Sequence, residues 1–184
     1  GTGKTEYTAV FPNFCKKALV LSIDDGKPQD EKLAEIFNEN GIKATFNVYY
    51  KNGNYAKRYA GHEVASHSDG HINMSANASE VRTTAEYISA IENGKTLVES
   101  MFGTGSCTGF AWPYGVPITR SDYSELLSAV KKNYSYARAV LTSKNFDIPT
   151  DWYDFRTTCL ITELNGYLGD FLKDSEDLKL LSAW

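Results

Sequence analysis

Apolar positions along the chain fall into two kinds of run, short near-continuous ones and longer stripes at helical spacing. Leu19-Val20-Leu21-Ser22-Ile23 is of the first kind and ends abruptly in Asp24-Asp25-Gly26, which predicts a short buried strand. Pro28, Asp30 and Glu31 then mark a helix start, with Leu33, Ile36 and Phe37 at helical spacing and Asn40-Gly41 as a C-cap. The segment Ile42 to Val48 reads as the next strand. Strand, helix and strand in roughly thirty residues make a βαβ unit, hence parallel pairing with a right-handed crossover.

Glu63-Val64-Ala65-Ser66 is again strand-like. Residues 79–101 carry the longest helical stripe, through Val81, Ala85, Ile88, Ile91, Leu97, Val98 and Met101. Gly94 weakens that helix, Gly103 and Gly105 end it, and its pattern assigns it packing alone. Another strand end follows at Gly109-Phe110-Ala111, leading into Trp112-Pro113-Tyr114-Gly115. Ser121 to Asn133 predicts a helix with Leu126, Leu127 and Val130 inward, and Tyr136 to Leu141 a strand carrying Arg138. A loop at 151–155, a strand from Arg156 to Ile161, a helix over 163–173 and a last strand from Leu178 to Trp184 complete the pattern. Residues 1–14 read as a strap. Gly1-Thr2-Gly3-Lys4-Thr5 looks like the tail of a phosphate-binding loop, but the upstream glycine and preceding strand are missing. Repeats, low-complexity tracts and linkers are absent, so residues 1–184 read as one α/β domain.

Composition narrows the function classes. A length of 184 residues suits one sizeable core, and 42% hydrophobic with 23% charged residues is ordinary for a globular domain. The net charge of −4 leaves no basic patch for nucleic acid. No apolar run is long enough for a membrane span, and the start is too polar for a signal peptide. Cys15, Cys107 and Cys159 have no metal-type spacing; three buried thiols fit them better than one disulfide and a free thiol. Twelve tyrosines and three tryptophans suit carbohydrate faces as well as cores.

The candidate chemistry begins with Asp24 and Asp25, placed at a strand's C-terminal end where α/β proteins put their sites. Adjacent acids repel, so keeping both ionised requires a cation or strong donor nearby; the bland alternative is a solvated Asp-Gly turn. His62 and His67 are five apart and would not share a helix face. His67-Ser68-Asp69-Gly70-His71 has the four-residue spacing that brings two imidazoles to one side of a helical turn. An isolated pair of this kind also fits ordinary surface residues, yet these are two of only three histidines in the chain. Asp25, His67 and His71 together make a one-carboxylate, two-histidine set with open positions, the catalytic rather than structural metal pattern. Asp24 would then be free to take a proton from attacking water. Trp112 and Pro113, with the Tyr114-Gly115 turn, would wall a pocket or simply form an aromatic turn.

With these residues in place, the chain resembles the NodB-like polysaccharide deacetylases of carbohydrate esterase family 4. Ser22-Ile23-Asp24-Asp25-Gly26 matches the family's first motif, Thr-Phe-Asp-Asp-Gly. His67-Ser68-Asp69-Gly70-His71 matches the second in full, and Pro113-Tyr114-Gly115 matches the end of the third. The resemblance implies a distorted (β/α) barrel of the polysaccharide deacetylase type with its site at the strand C-terminal ends. It implies Asp24 as general base, Asp25, His67 and His71 as ligands of a divalent metal (zinc, with cobalt or nickel as alternatives), and the Tyr114 N–H in the oxyanion hole. The implied reaction removes acetyl from an N-acetylated glycan at the envelope or exterior of a cell. An O-acetyl esterase of xylan type and a carbohydrate-binding pseudo-enzyme are the rival readings. Two departures stand out. Ala111 occupies the position of the arginine that orients the base, with Arg138, or less favourably Arg156, as its substitute. The family's general-acid histidine would follow the last strand, where the chain stops at Trp184; a C-terminal truncation would account for this. Asp151-Trp152 and Asp154-Phe155 loosely echo the fourth motif, offering Trp152 as a substrate contact beside Trp112 and Pro113.

Overall fold

The computed structural model describes residues 11–176 and 178–184, so the phosphate-loop-like start and most of the strap lie outside the described residues. Seven strands, β1 Lys17–Asp24, β2 Thr45–Val48, β3 Glu63–Ser66, β4 Gly109–Ala111, β5 Tyr136–Thr142, β6 Phe155–Thr157 and β7 Lys179–Ala183, form one parallel sheet in the order β6-β5-β4-β3-β2-β1-β7. The sheet curls into a nearly closed barrel. At the seam, β6 and β7 meet through the segment after β6: Thr158 N–H donates to Ser182 Oγ at 3.0 Å, and Cys159 bridges Ala183. Helices α1 Asp30–Glu39, α2 Tyr55–Arg58, α3 Thr84–Phe102, α4 Tyr123–Asn133 and α5 Leu164–Lys173 fill the connections.

The two-residue period of a strand divides the side chains between two environments. Leu21, Phe46, Val48, Val64, Phe110 and Leu181 join the buried core with Phe37, Ile91, Val98, Leu126 and Val130 of the helices. At the alternate positions, on the barrel's other face, Asn47 and Arg138 both donate to Ser22 Oγ. Outer positions thus hold the fold together, and inner ones are free to be polar. Tyr55, Tyr59 and Tyr87 are fully buried, so much of the tyrosine excess serves the core.

Several elements depart from the sequence pattern. The helix expected from residue 79 begins at Thr84, where Thr83 and Glu86 form a reciprocal capping box. Val81, upstream of that cap, is 83% exposed, and Ala85 is exposed as well. Ile36 also faces solvent while Ala34 takes the inward place. The histidine segment is not helical. Ser68 and His71 have φ of 59° and 52° and Gly70 of 74°, giving a tight loop pinned from three directions. His67 N–H donates to Val48 O, Gly70 N–H to Tyr49 O and Asp69 N–H to Ala90 O of α3. All three cysteines are free thiols, with Cys107 and Cys159 buried but Cys15 exposed. Among the described residues no helix is long and apolar enough to cross a membrane.

Gly94 explains why α3 does more than pack. A Cβ there would collide with Ser66 Oγ and come within 3.0 Å of the Ser68 backbone, at the root of the histidine loop. Helix propensity alone would favour Gly94→Ala by about 1 kcal/mol. Overpacking costs about 1–3 kcal/mol, and a clash with Ser66 Oγ backed by the fixed Ser68 backbone puts this site in the upper part of that range, about 2–3 kcal/mol, so the steric effect wins. Gly94→Ala is therefore expected to lower stability by about 1–2 kcal/mol in denaturant unfolding. Unchanged or increased stability would show that α3 does not press on this loop.

Candidate active site

The two carboxylates at the end of β1 are handled in opposite ways. Asp24 is held from below. Arg138 Nη2 of β5 lies 2.5 Å from both of its oxygens, and Asn47 Nδ2 of β2 donates to Oδ1 at 2.9 Å. Arg138 is 1% exposed and spends its other donors on Ser22 Oγ at 3.0 Å and Ala139 O at 2.8 Å. The Trp184 ring lies against the same guanidinium at 5.0 Å. Burial alone would push the Asp24 carboxyl up, but Arg138, His67 and the hydrogen bonds from Arg138 and Asn47 together hold it below the usual carboxylate range.

Asp25 turns the other way. Its φ of 78° lifts the side chain out of the strand register, and its N–H is anchored on Asn47 O at 3.0 Å. Gly26 follows at φ 64°, its carbonyl accepting from Tyr50 and Tyr55 hydroxyls at 3.0 Å each and from Arg58 at 3.3 Å. A Cβ on Gly26 would run into the Tyr55 hydroxyl, so the turn requires glycine on both counts. Asp25 Oδ1 then faces His67 Nε2 at 3.8 Å and His71 Nε2 at 3.6 Å.

One ligand atom from each of Asp25, His67 and His71 lies within 4.8 Å of the others, so these three side chains can hold one metal ion. The donor chemistry fits a divalent cation. His67 Nδ1–H donates to Ala111 O at 2.8 Å, which leaves the Nε2 lone pair for the shared space. Burial first, and the nearby Arg138 and His71, push the His67 imidazole towards its neutral, ligating form against the pull of Asp24 and the Ala111 carbonyl. Tyr114 has φ 60°, and among the described residues its N–H meets no acceptor. Its exposed ring lies 4.8 Å from that of His71.

The polysaccharide deacetylase profile matches residues 12–137, more than half of the chain. The chain belongs to the polysaccharide deacetylase family. The match ends one residue before Arg138. Solved structures of similar fold include the Bc1960 peptidoglycan N-acetylglucosamine deacetylase, at 18% identity and a TM-score of 0.56, covering 90% of this chain and 70% of that one. The Xyl-CE4 domain of a multidomain xylanase from the hindgut metagenome of Trinervitermes trinervoides is also 18% identical, with a TM-score of 0.55 and coverage of 92% and 73%. A CE4 family pseudoenzyme from Bacillus anthracis is 17% identical, with a TM-score of 0.54 and coverage of 94% and 56%. Among curated proteins none matches this sequence.

Within this member of the family, the structure sorts the remaining candidates. Arg138 stands against Asp24, whereas Arg156 pairs with Asp154 at 2.8 Å. His62 accepts from Ala44 N–H at the N-terminal end of β3, at the far end of the barrel from Asp24. Trp112 is fully buried and donates its indole N–H to Tyr153 O, and Pro113 is buried too, so neither side chain faces a groove. Of the fourth-motif echo, Asp151, Trp152 and Asp154 precede β6 and Phe155 opens it, all at the strands' N-terminal end. There Trp152 lines an apolar cavity of about 320 Å³ with Val20, Tyr136 and Phe155, on the other side of Arg138 from the carboxylates. Asn47 and Trp184 do not stand out in the sequence. A lone Asn inside the buried run Thr45-Phe46-Asn47-Val48 was the available signal, since buried amides need partners.

Because the Asp24 pKa lies below its unfolded value, the Arg138 pairing stabilises the fold above about pH 4, and this is lost as pH falls below that. Arg138→Met should cost roughly 3 kcal/mol at neutral pH by leaving a buried carboxylate without its cation. Adding Asp24→Asn should recover part of that loss. Urea unfolding at pH 7 reads both effects, and a loss under about 1 kcal/mol for Arg138→Met would remove the pair's structural importance.

Proposed function

We propose that the chain hydrolyses acetyl groups from N-acetylated sugars of a polysaccharide, with a divalent metal, zinc by preference and cobalt or nickel as substitutes, on Asp25, His67 and His71. The observation that carries this reading is the division of labour between neighbours: Asp25 Oδ1 turns to two imidazoles while Asp24 Oδ2 stays 3.8 Å from His67 Nε2, bordering the same space. A cation there would supply Lewis acidity to the acetyl carbonyl and lower the pKa of water. Asp24, kept ionised by Arg138 and Asn47, accepts the proton of the water attacking the carbonyl carbon. The Tyr114 N–H is free to donate to the oxygen that gains charge, a contribution of about 3 kcal/mol for such a donor.

When the C–N bond breaks, the amine must gain a proton. The chain's third histidine, His62, is at the other end of the barrel, so Asp24 hands back the proton it took, yielding acetate and the free amine. An ester needs this step less, because an alkoxide leaves more readily than an amide anion. With His67 and His71 turned to the metal space and His62 far from it, the described residues therefore suit the rival O-acetyl esterase reading as well. A carbohydrate-binding protein without turnover is the rival of a different class.

Acetate release from a panel of N- and O-acetylated oligosaccharides, with zinc and with chelator, tests all three. Chelator-sensitive release from N-acetylated oligomers is expected, and release only from O-acetylated ones would replace the reading with the esterase. Asp24→Asn should lower kcat by about 10²–10⁴-fold with zinc affinity nearly unchanged. Loss of zinc in that variant would overturn the roles given to the two carboxylates.

A further inference from the structure

A cleft of about 230 Å³ opens beside the metal-facing cluster, between the histidine loop and the segment leading into α3. His71 and Tyr114 line it, and Asn73, Ser79, Glu80 and Arg82 are among the other lining residues. Its contents differ from those of the barrel interior. The exposed Tyr114 ring offers a face of the kind that covers a sugar, and it stands directly beside His71. Among the described residues Arg82 is the only lysine or arginine in the lining.

Arg82 is set in place by its backbone, whose N–H donates to the hydroxyl of the fully buried Tyr87 at 3.1 Å. Its guanidinium is incompletely used. Nη2 reaches Glu80 Oε1 at 3.0 Å, while Nε is buried and has no hydrogen-bond partner. A buried donor without an acceptor is costly, and folded proteins rarely leave one so. The Glu80 pairing does not relieve it: the Glu80 side chain is 74% exposed, and a pair so open to water is weak and easily exchanged. The Nε and Nη2 donors of one guanidinium form the fork that fits the two oxygens of a carboxylate.

We propose that this cleft receives an acidic substituent on the sugar next to the acetylated one, and that Arg82 makes the protein selective for carboxylate-bearing glycans. The proposal rests on the reading of the chain as a glycan deacetylase, and it names the substrate class of that site. Arg82 acts here as a specificity-determining residue. It takes no part in the proton transfers assigned to Asp24, and the carboxylate it binds replaces Glu80 as its partner.

Binding of two tetrasaccharides to the zinc-supplemented chain provides the test. One is neutral and built only from N-acetylglucosamine; the other alternates N-acetylglucosamine with glucuronic acid. Calorimetry should show the acidic one bound about tenfold more tightly. Arg82→Gln should erase that difference and leave the neutral affinity unchanged, and Arg82→Lys should restore part of it. The preference should also shrink as salt is raised. Equal affinities in the unmodified chain, or an equal loss for both ligands in Arg82→Gln, would overturn the proposal. Acetate release from the same two ligands separates it from the parent reading. Arg82-dependent acidic binding without any release would keep the cleft and discard the hydrolase, and release with no acidic preference would do the reverse.

Discussion

Two carboxylates in sequence at the end of a buried strand repel each other, and the inside of a barrel offers little water to relieve them. The chain resolves this by giving each acid its own partner in its own direction. Asp24 points to Arg138 and Asn47; Asp25, at positive φ, turns out to His67 and His71. The Arg138 pairing is the one on which the rest depends. It joins β5 to β1, and Asn47 and Ser22 complete the same polar network from β2 and β1. A guanidinium this deeply buried is tolerable only because its donors reach Asp24, Ser22 and the Ala139 carbonyl. Remove the carboxylate and the arginine is stranded; remove the arginine and the carboxylate is stranded.

The arginine's position is where this chain differs from the pattern it resembles. Ala111, on β4, is the register partner of Arg138 on β5. The family's motif arginine would sit at 111, so the charge has moved one strand sideways and stayed at the same level of the barrel. Ala111 keeps a function through its backbone, since its carbonyl fixes the His67 tautomer. The short Ala111 side chain leaves room beside its register partner, while the Tyr136 ring fills the space at Gly109, and the Arg138 side chain crosses the interior to reach β1.

What the sequence showed followed from strong, local signals. The β1, β2, β5 and β7 runs announced themselves by near-continuous apolar residues, whereas the strand expected over 156–161 is the short β6, Phe155–Thr157. The βαβ order led to parallel pairing, and the family resemblance to the barrel. Asp24, Asp25, His67 and His71 stood out because core packing seldom demands acids and imidazoles at ligand spacing. The less legible parts were set by long-range packing. Four-residue spacing suggested a helical turn for the histidines, but the loop takes its shape from hydrogen bonds to Val48, Tyr49 and Ala90. Trp112 reads as a pocket wall by its company in sequence, while strand alternation and the Tyr153 carbonyl place it in the core. Nothing local in the sequence says that Trp184 would lie on Arg138, since that contact spans the barrel. Gly94 reads locally as a helix defect, and only its approach to Ser66 and Ser68 shows why the position is glycine.

The central claim is that Arg138, arriving from β5, keeps Asp24 ionised in a buried site. Carboxyl carbon shifts of Asp24, followed by NMR as the pH is lowered in the metal-free chain, read this directly. Asp24 should remain ionised while ordinary aspartates take up their protons near about pH 4. In Arg138→Met the same carbon should titrate at a higher pH than in the unmodified chain, because burial then acts unopposed by the guanidinium. An Asp24 that protonates at or above the ordinary range with Arg138 in place would contradict the account.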